Sequence, residues 1–352
     1  MLFRQERFCG QNGLSLVELM ISITLGLILM AGVLQLFLSS KVTFNAQEGI
    51  SRIQESGRLA MNFVSKDVRS AGFTGFRSVT GITGINVANY LGTITVDNNF
   101  QESISVFAAP ISGVASLAGT QSLAVRGVFL GPSVEVTSFN LGSINTKSGL
   151  QNCDKAAVAV SDTCANRPLI IADYFKAAVF QPNSIKGGVD TVITFTGSWG
   201  VDTLTPSDYF IPGSRVSPID TVIYYISTGA NGQPSLFKKE NGVAFELIQG
   251  VKNMAFTYSR RDTPDTYLNA AGGSGVKSIG ELNALLTKLN PDQAILKNPP
   301  ISLRVELLVQ SNSTGVVESD QSYVFNGVTT LGKDRRMYQV FRTTIALRNQ
   351  MQ

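Results

Sequence analysis

Side chains with chemistry to offer are few and scattered in this chain. Histidine is absent from all 352 residues, which removes the commonest general base and metal ligand and excludes a Ser-His-Asp arrangement. The carboxylates beyond residue 70 are dispersed, and their spacing pairs none of them for acid–base work. Asp262-Thr-Pro-Asp265 is acidic and loop-like, but two carboxylates without a glycine turn fall short of a calcium loop. No metal and no cofactor is expected. Trp199, between Gly197 and Gly200, reads as a core or strand-end aromatic in preference to an exposed ligand platform. Of three cysteines, Cys153 and Cys164 form an even pair beyond the N-terminal region. A disulfide between them would close a short loop and stabilise it by roughly 3 kcal/mol in the chain-entropy model. No Cys-x-x-Cys spacing supports redox or metal chemistry instead.

One carboxylate stands out by its surroundings. Glu18 is the only charge in the apolar run from Gly13 to Leu38. From Leu14 onward that run is long enough to cross a bilayer as a helix, which takes roughly 20 residues. A carboxylate mid-membrane costs about 2.5–3.5 kcal/mol even on lenient scales, and less near the helix start. The segment before the run, Met1 to Gly13, is polar and carries Arg4 and Arg7 against Glu6. That order differs from a secretory signal, whose apolar core precedes its cleavage site. A cut between Gly13 and Leu14 would keep the hydrophobic segment and create an amine on Leu14, one helical turn from Glu18. On the same chain or a neighbour, that amine can pair with Glu18 where the dielectric is low. The plainer reading is an uncleaved membrane anchor with a stray acidic residue.

Gly13-Leu14-Ser15-Leu16-Val17-Glu18-Leu19 resembles the cleavage and methylation motif of type IV prepilins and type II secretion pseudopilins. The resemblance implies cleavage after Gly13 by a prepilin peptidase, N-methylation of Leu14, and Glu18 as the fifth residue of the mature chain, acting in assembly. Leu14 stands where phenylalanine is usual. Cys9 would leave with residues 1–13.

The elements that must position these residues follow from composition and periodicity. About 310 residues lie beyond the apolar run, enough for one large or two modest domains. Charged residues are only 15% and glycines number 33, which fits a β-rich extracytoplasmic domain. The net charge of +4 is small and unclustered, and gives no nucleic-acid footprint. Residues 39–70 read as an amphipathic continuation of the 14–38 helix. Ile50, Ile53, Gly57, Met61, Val64 and Val68 fall on one face, and Arg52, Glu55, Arg58, Lys66 and Asp67 make up the polar remainder. The Gly26 and Gly32 spacing is a weak signal for close helix approach. At Ala71 a glycine-rich loop begins without a phosphate-cradle order. Beyond it, strands are expected at 122–130, 134–139, 156–160, 168–180, 191–196, 221–227, 244–248, 254–260, 301–310 and 337–347, mostly antiparallel. A capped helix is expected from Ser278 to Pro291. In the last strand, Phe341, Ile345 and Leu347 should be core, with Arg342 and Arg348 as surface charges on the opposite face.

Several of these segments resemble PilW-type minor pilins. They are residues 54–60 and 67–75, Val222–Ile226, 236–239, 246–254 and the close Arg335–Asn349 ending Leu-Arg-Asn. Residues 76–149 and 262–280 match nothing in that pattern. The resemblance implies an α+β, pilin-like fold: a long N-terminal helix, half transmembrane and half amphipathic, with a large β-rich head over 71–352. It implies a minor pilin that initiates or caps a type IV pilus after leader cleavage, and not an enzyme. A type II secretion pseudopilin and a pilus-carried adhesin are the alternatives. Partners would be the peptidase, other minor and major pilins, the inner-membrane assembly machinery and the membrane itself. The chain would be single-pass, with its amino end cytoplasmic, as Arg4 and Arg7 suit, and its head periplasmic before it joins the pilus.

Overall fold

In the computed structural model a single helix, α1 (Leu16–Ser70), carries the head on its second half. The structure describes residues 15–73, 87–89, 91, 100, 103–107, 113–127, 133–140, 142–150, 167–173, 177–186, 191–195, 210–240, 242–260, 268–269 and 300–347. The helix is unbroken, about 80 Å at 1.5 Å per residue. Its end is built by backbone: Gly72 takes φ 75°, and its N–H donates to Arg126 O at 2.8 Å. The chain thereby leaves the helix directly onto the sheet beneath.

Helix periodicity decides which side meets the head. The buried stripe is Ile53, Gly57, Ala60, Val64, Asp67 and Val68, in steps of one, three and four. This corrects the expected face in two ways. Ile50 is exposed, and Asp67, assigned to the polar side, is buried. Met61 is half-buried against the core.

Three larger sheets and a hairpin make up the described head. The first has five strands: β2 (Ile104–Phe107), β3 (Ser122–Gly127), β11 (Asp220–Thr228), β12 (Pro234–Glu240) and β13 (Val243–Gln249), in the order β13-β12-β11-β3-β2. The second has four: β14 (Val251–Arg260), β15 (Leu268–Asn269), β16 (Pro300–Gln310) and β19 (Tyr338–Ala346), ordered β15-β14-β16-β19. These two sheets and α1 share one core, from Ile53 and Val64 through Tyr224 and Ile226 to Val305 and Ile345. The hairpin β17 (Ser322–Phe325) and β18 (Val328–Leu331) turns through Asn326-Gly327, both at positive φ as a tight type I′ turn needs.

A separate eight-stranded sheet holds the remaining strands. They are β1 (Val87–Asn89), β4 (Val134–Asn140), β5 (Ser143–Thr146), β6 (Leu169–Ala172), β7 (Ala177–Phe180), β8 (Ser184–Lys186), β9 (Thr191–Thr194) and β10 (Arg215–Pro218). Their order is β1-β7-β6-β10-β4-β5-β9-β8, antiparallel except for β1 against β7. Two further apolar clusters, around Val136, Ile144 and Ile193 and around Ile170 and Val179, fill its faces. Segment 168–180, expected as one strand, is two antiparallel strands reversing between Ala172 and Ala177.

The last strand follows its expected alternation. Ile345 and Leu347 are buried, while Arg342, Thr344 and Ala346 face outward. Phe341, expected as core, is only half-buried: one side of its ring lies over Gly57, where any Cβ would collide with it, and the residue also lines the groove between α1 and β19. Glycine there lets β19 close onto the helix.

Candidate assembly interface

Among the described residues, the N-terminal half of α1 packs against no other element. From Leu16 to Leu38 its leucines, isoleucines, valines and Phe37 are exposed on every side, and this part is apolar and long enough to cross a membrane. Its hydroxyls are satisfied within the helix. Ser22 Oγ donates to Glu18 O at 2.7 Å, and Thr24 Oγ1 to Ile21 O at 2.9 Å. A contiguous exposed apolar surface of this size marks a contact with lipid or with another protein.

Glu18 lies in the first turn of this rod, where the helix dipole favours a negative charge. Its side chain is exposed, and among the described residues no cation pairs with it. Gly13 and Leu14 lie outside the described residues, so their proposed cut and methylation have no geometry here.

The rod is fixed to the head by a charged joint that sequence reasoning missed. Tyr224 on β11 and Lys238 on β12 are cross-strand partners, so both side chains project from one face, toward α1. Tyr224 Oη donates to Asp67 Oδ2 at 2.6 Å, with Phe63 O at 3.2 Å sharing the proton. Lys238 Nζ sits 3.1 Å from Asp67 Oδ2 and 2.9 Å from Glu240 Oε2. A buried carboxylate is thus met by a cation and a hydroxyl, as its burial requires. Asp67 read as a polar-face residue because its partners lie far along the chain. No local spacing marks them.

Burial and the adjoining Asp67 carboxylate hold the Tyr224 phenol far above its ordinary range. Burial pulls the Lys238 ammonium down, but its bonds to Glu240 and Asp67 outweigh that and leave it above its ordinary value. Both shifts stabilise the fold on the same side of the pH scale. A group raised on folding contributes fully below its unfolded pKa, about 10.4 for lysine and 10 for tyrosine, and that contribution is lost as pH rises through the folded value. Urea unfolding of the purified chain in detergent should therefore show a loss of stability above about pH 10. In Tyr224→Phe that alkaline loss should be shallower; an unchanged slope would show that Tyr224 ionisation does not contribute to it.

Arg342, expected as a plain surface charge, is a latch. Its Nε donates to Glu306 Oε1 at 2.9 Å and its second guanidinium nitrogen to Val324 O at 3.1 Å, while Asn326 N donates to Glu306 Oε2 at 3.0 Å. The pair holds the β17–β18 hairpin on β16 and β19. Arg348, the Cys153–Cys164 pair, Trp199, Asp262, Asp265, strand 156–160 and the helix expected at 278–291 all lie outside the described residues. Among the described residues no group of three or more acidic or cysteine side chains could hold a metal.

Two family matches bear on this arrangement. Residues 9–34 match the prokaryotic N-terminal methylation motif, and residues 223–349 match the Type IV Pilus-assembly protein W family. The first contains Gly13, Leu14 and Glu18. The second runs from β11 to just past β19, and so takes in Tyr224, Lys238 and the last strand. Both bear out the resemblance to PilW-type minor pilins drawn from the sequence. The segments 54–60 and 67–75, also likened to that family, fall outside both matches, whereas 262–280 falls inside the second. No curated protein and no solved structure matches the chain.

Proposed function

We propose that this chain, a PilW-type pilin-like protein by its two family matches, is a minor pilin that initiates or caps type IV pilus filaments. The observation that carries the reading is the naked apolar rod of α1 with Glu18 in its first turn, continuous with the helix that packs on a β-rich head. In this reading a prepilin peptidase cuts after Gly13 while the subunit is held in the inner membrane, and Leu14 is N-methylated. The new amine and Glu18 then set the register of the rod against its neighbours, major and other minor pilins, as the assembly machinery draws subunits from the bilayer. The head stands in the periplasm and later at the cell surface. The protein is the substrate of this proteolysis and brings no catalysis of its own.

Electron microscopy of a strain lacking the gene, with and without restored expression, tests the role. Few or no surface filaments in the mutant and their return on restoration are expected. Normal filament numbers with lost attachment would contradict initiation or capping and favour a pilus-carried adhesin.

A further inference from the structure

Above the rod, the outward side of α1 carries a row of cations. Arg58, Lys66 and Arg69 are exposed and, with Met61, Asn62 and Ser65, form one wall of a groove whose other wall is Phe341–Thr343 of β19. The three cations are eight and three residues apart, so they span about 12 and 17 Å along the helix from Arg58. Among the described residues none of them has an ion pair. Two carboxylates near the groove have other partners: Asp67 is buried against Lys238, and Glu306 holds Arg342. Glu55, one turn before Arg58, lies outside the groove lining. Three like charges along one groove repel one another and are relieved by an acidic surface brought alongside. Met61 and Phe341 make the two walls partly apolar.

We infer that this groove docks a carboxylate-bearing face of a neighbouring subunit in the filament. The inference rests on the reading of the chain as a filament subunit and adds the surface by which its head region is gripped. Continuity of the helix selects the occupant. α1 runs unbroken from the apolar rod into the groove wall, so a like helix packed beside Leu16–Leu38 brings its own upper half beside Arg58–Arg69. Pairing at exposed charges acts mainly on encounter and register, and weakens with salt.

The test uses the full chain in its host. A photo-crosslinking residue replaces Asn62, within the groove, and the charge reversal Arg58→Glu, Lys66→Glu, Arg69→Glu is compared with the neutral Arg58→Gln, Lys66→Gln, Arg69→Gln. Expected is a crosslink to an acidic peptide of a pilin subunit, reduced at least tenfold by the reversal and less by the neutral set. Thermal stability and leader processing should stay unchanged. Equal crosslinking and equal filament content in the reversal, or crosslinks to lipid, nucleic acid or polysaccharide, would overturn the inference while leaving the filament reading intact. Absence of the wild-type chain from filaments would sink both.

Discussion

Glu18→Ala is expected to leave the amount of this protein in the membrane unchanged or slightly raised, and to remove most of it from filaments. Losing a carboxylate from an apolar helix relieves the cost of placing it in lipid, so insertion does not suffer. In a bundle of rods the balance reverses. The amine expected on Leu14 would enter the apolar interior with nothing to meet it, and breaking one side of a buried ion pair costs about 3–5 kcal/mol. At about 1.4 kcal/mol per factor of ten, incorporation falls by roughly two to three and a half decades. Glu18→Gln keeps the shape and one acceptor but not the charge, and should fall between. Immunoblots of sheared filaments against membrane fractions read the two effects separately. A drop in both fractions would mean that Glu18 serves insertion or stability instead.

The second large effect is at the joint. Lys238→Met should destabilise the head by about 3 kcal/mol, because Asp67 and Glu240 would be left facing each other beneath the helix with only Tyr224 as donor. Lys238 retains some contact with water, which keeps the expected loss at the lower end of the range for buried pairs. Asp67→Asn combined with Lys238→Met should cost less than the two single changes added together, by about 1–2 kcal/mol, since the residues share one network. Urea unfolding of the three variants in detergent measures this. Strict additivity would show that the ion pair does not hold the helix to the head.

What could be read along the chain was what repeats locally. The rod declares itself by an apolar run with a lone Glu18, and the stalk by the three- and four-residue steps from Ile53 to Val68. The glycine at 72 marks the helix end, and the alternation of Phe341, Ile345 and Leu347 against Arg342 gives the last strand its faces. What depended on distant pairing was lost. Strands β1, β5, β8 and β10 have only three or four residues, too few to show a period. The reversal between β6 and β7 was hidden because an apolar run continues on both sides of it without glycine or proline. The eight-strand order joins β1 to β7 and β10 to β4, pairings that no local pattern encodes. Asp67 is the clearest case. On its own turn it is one more charge on a helix; only the register of β11 with β12, which aligns Tyr224 and Lys238, turns it into a buried anchor.

In the proposed function the apolar helix, freed at its front, is the part by which the molecule enters a filament. Mass spectrometry of the N-terminal peptide from purified filaments tests it most directly. A chain that begins at Leu14 and carries one added methyl group is expected. A filament-borne chain still bearing residues 1–13 would contradict it.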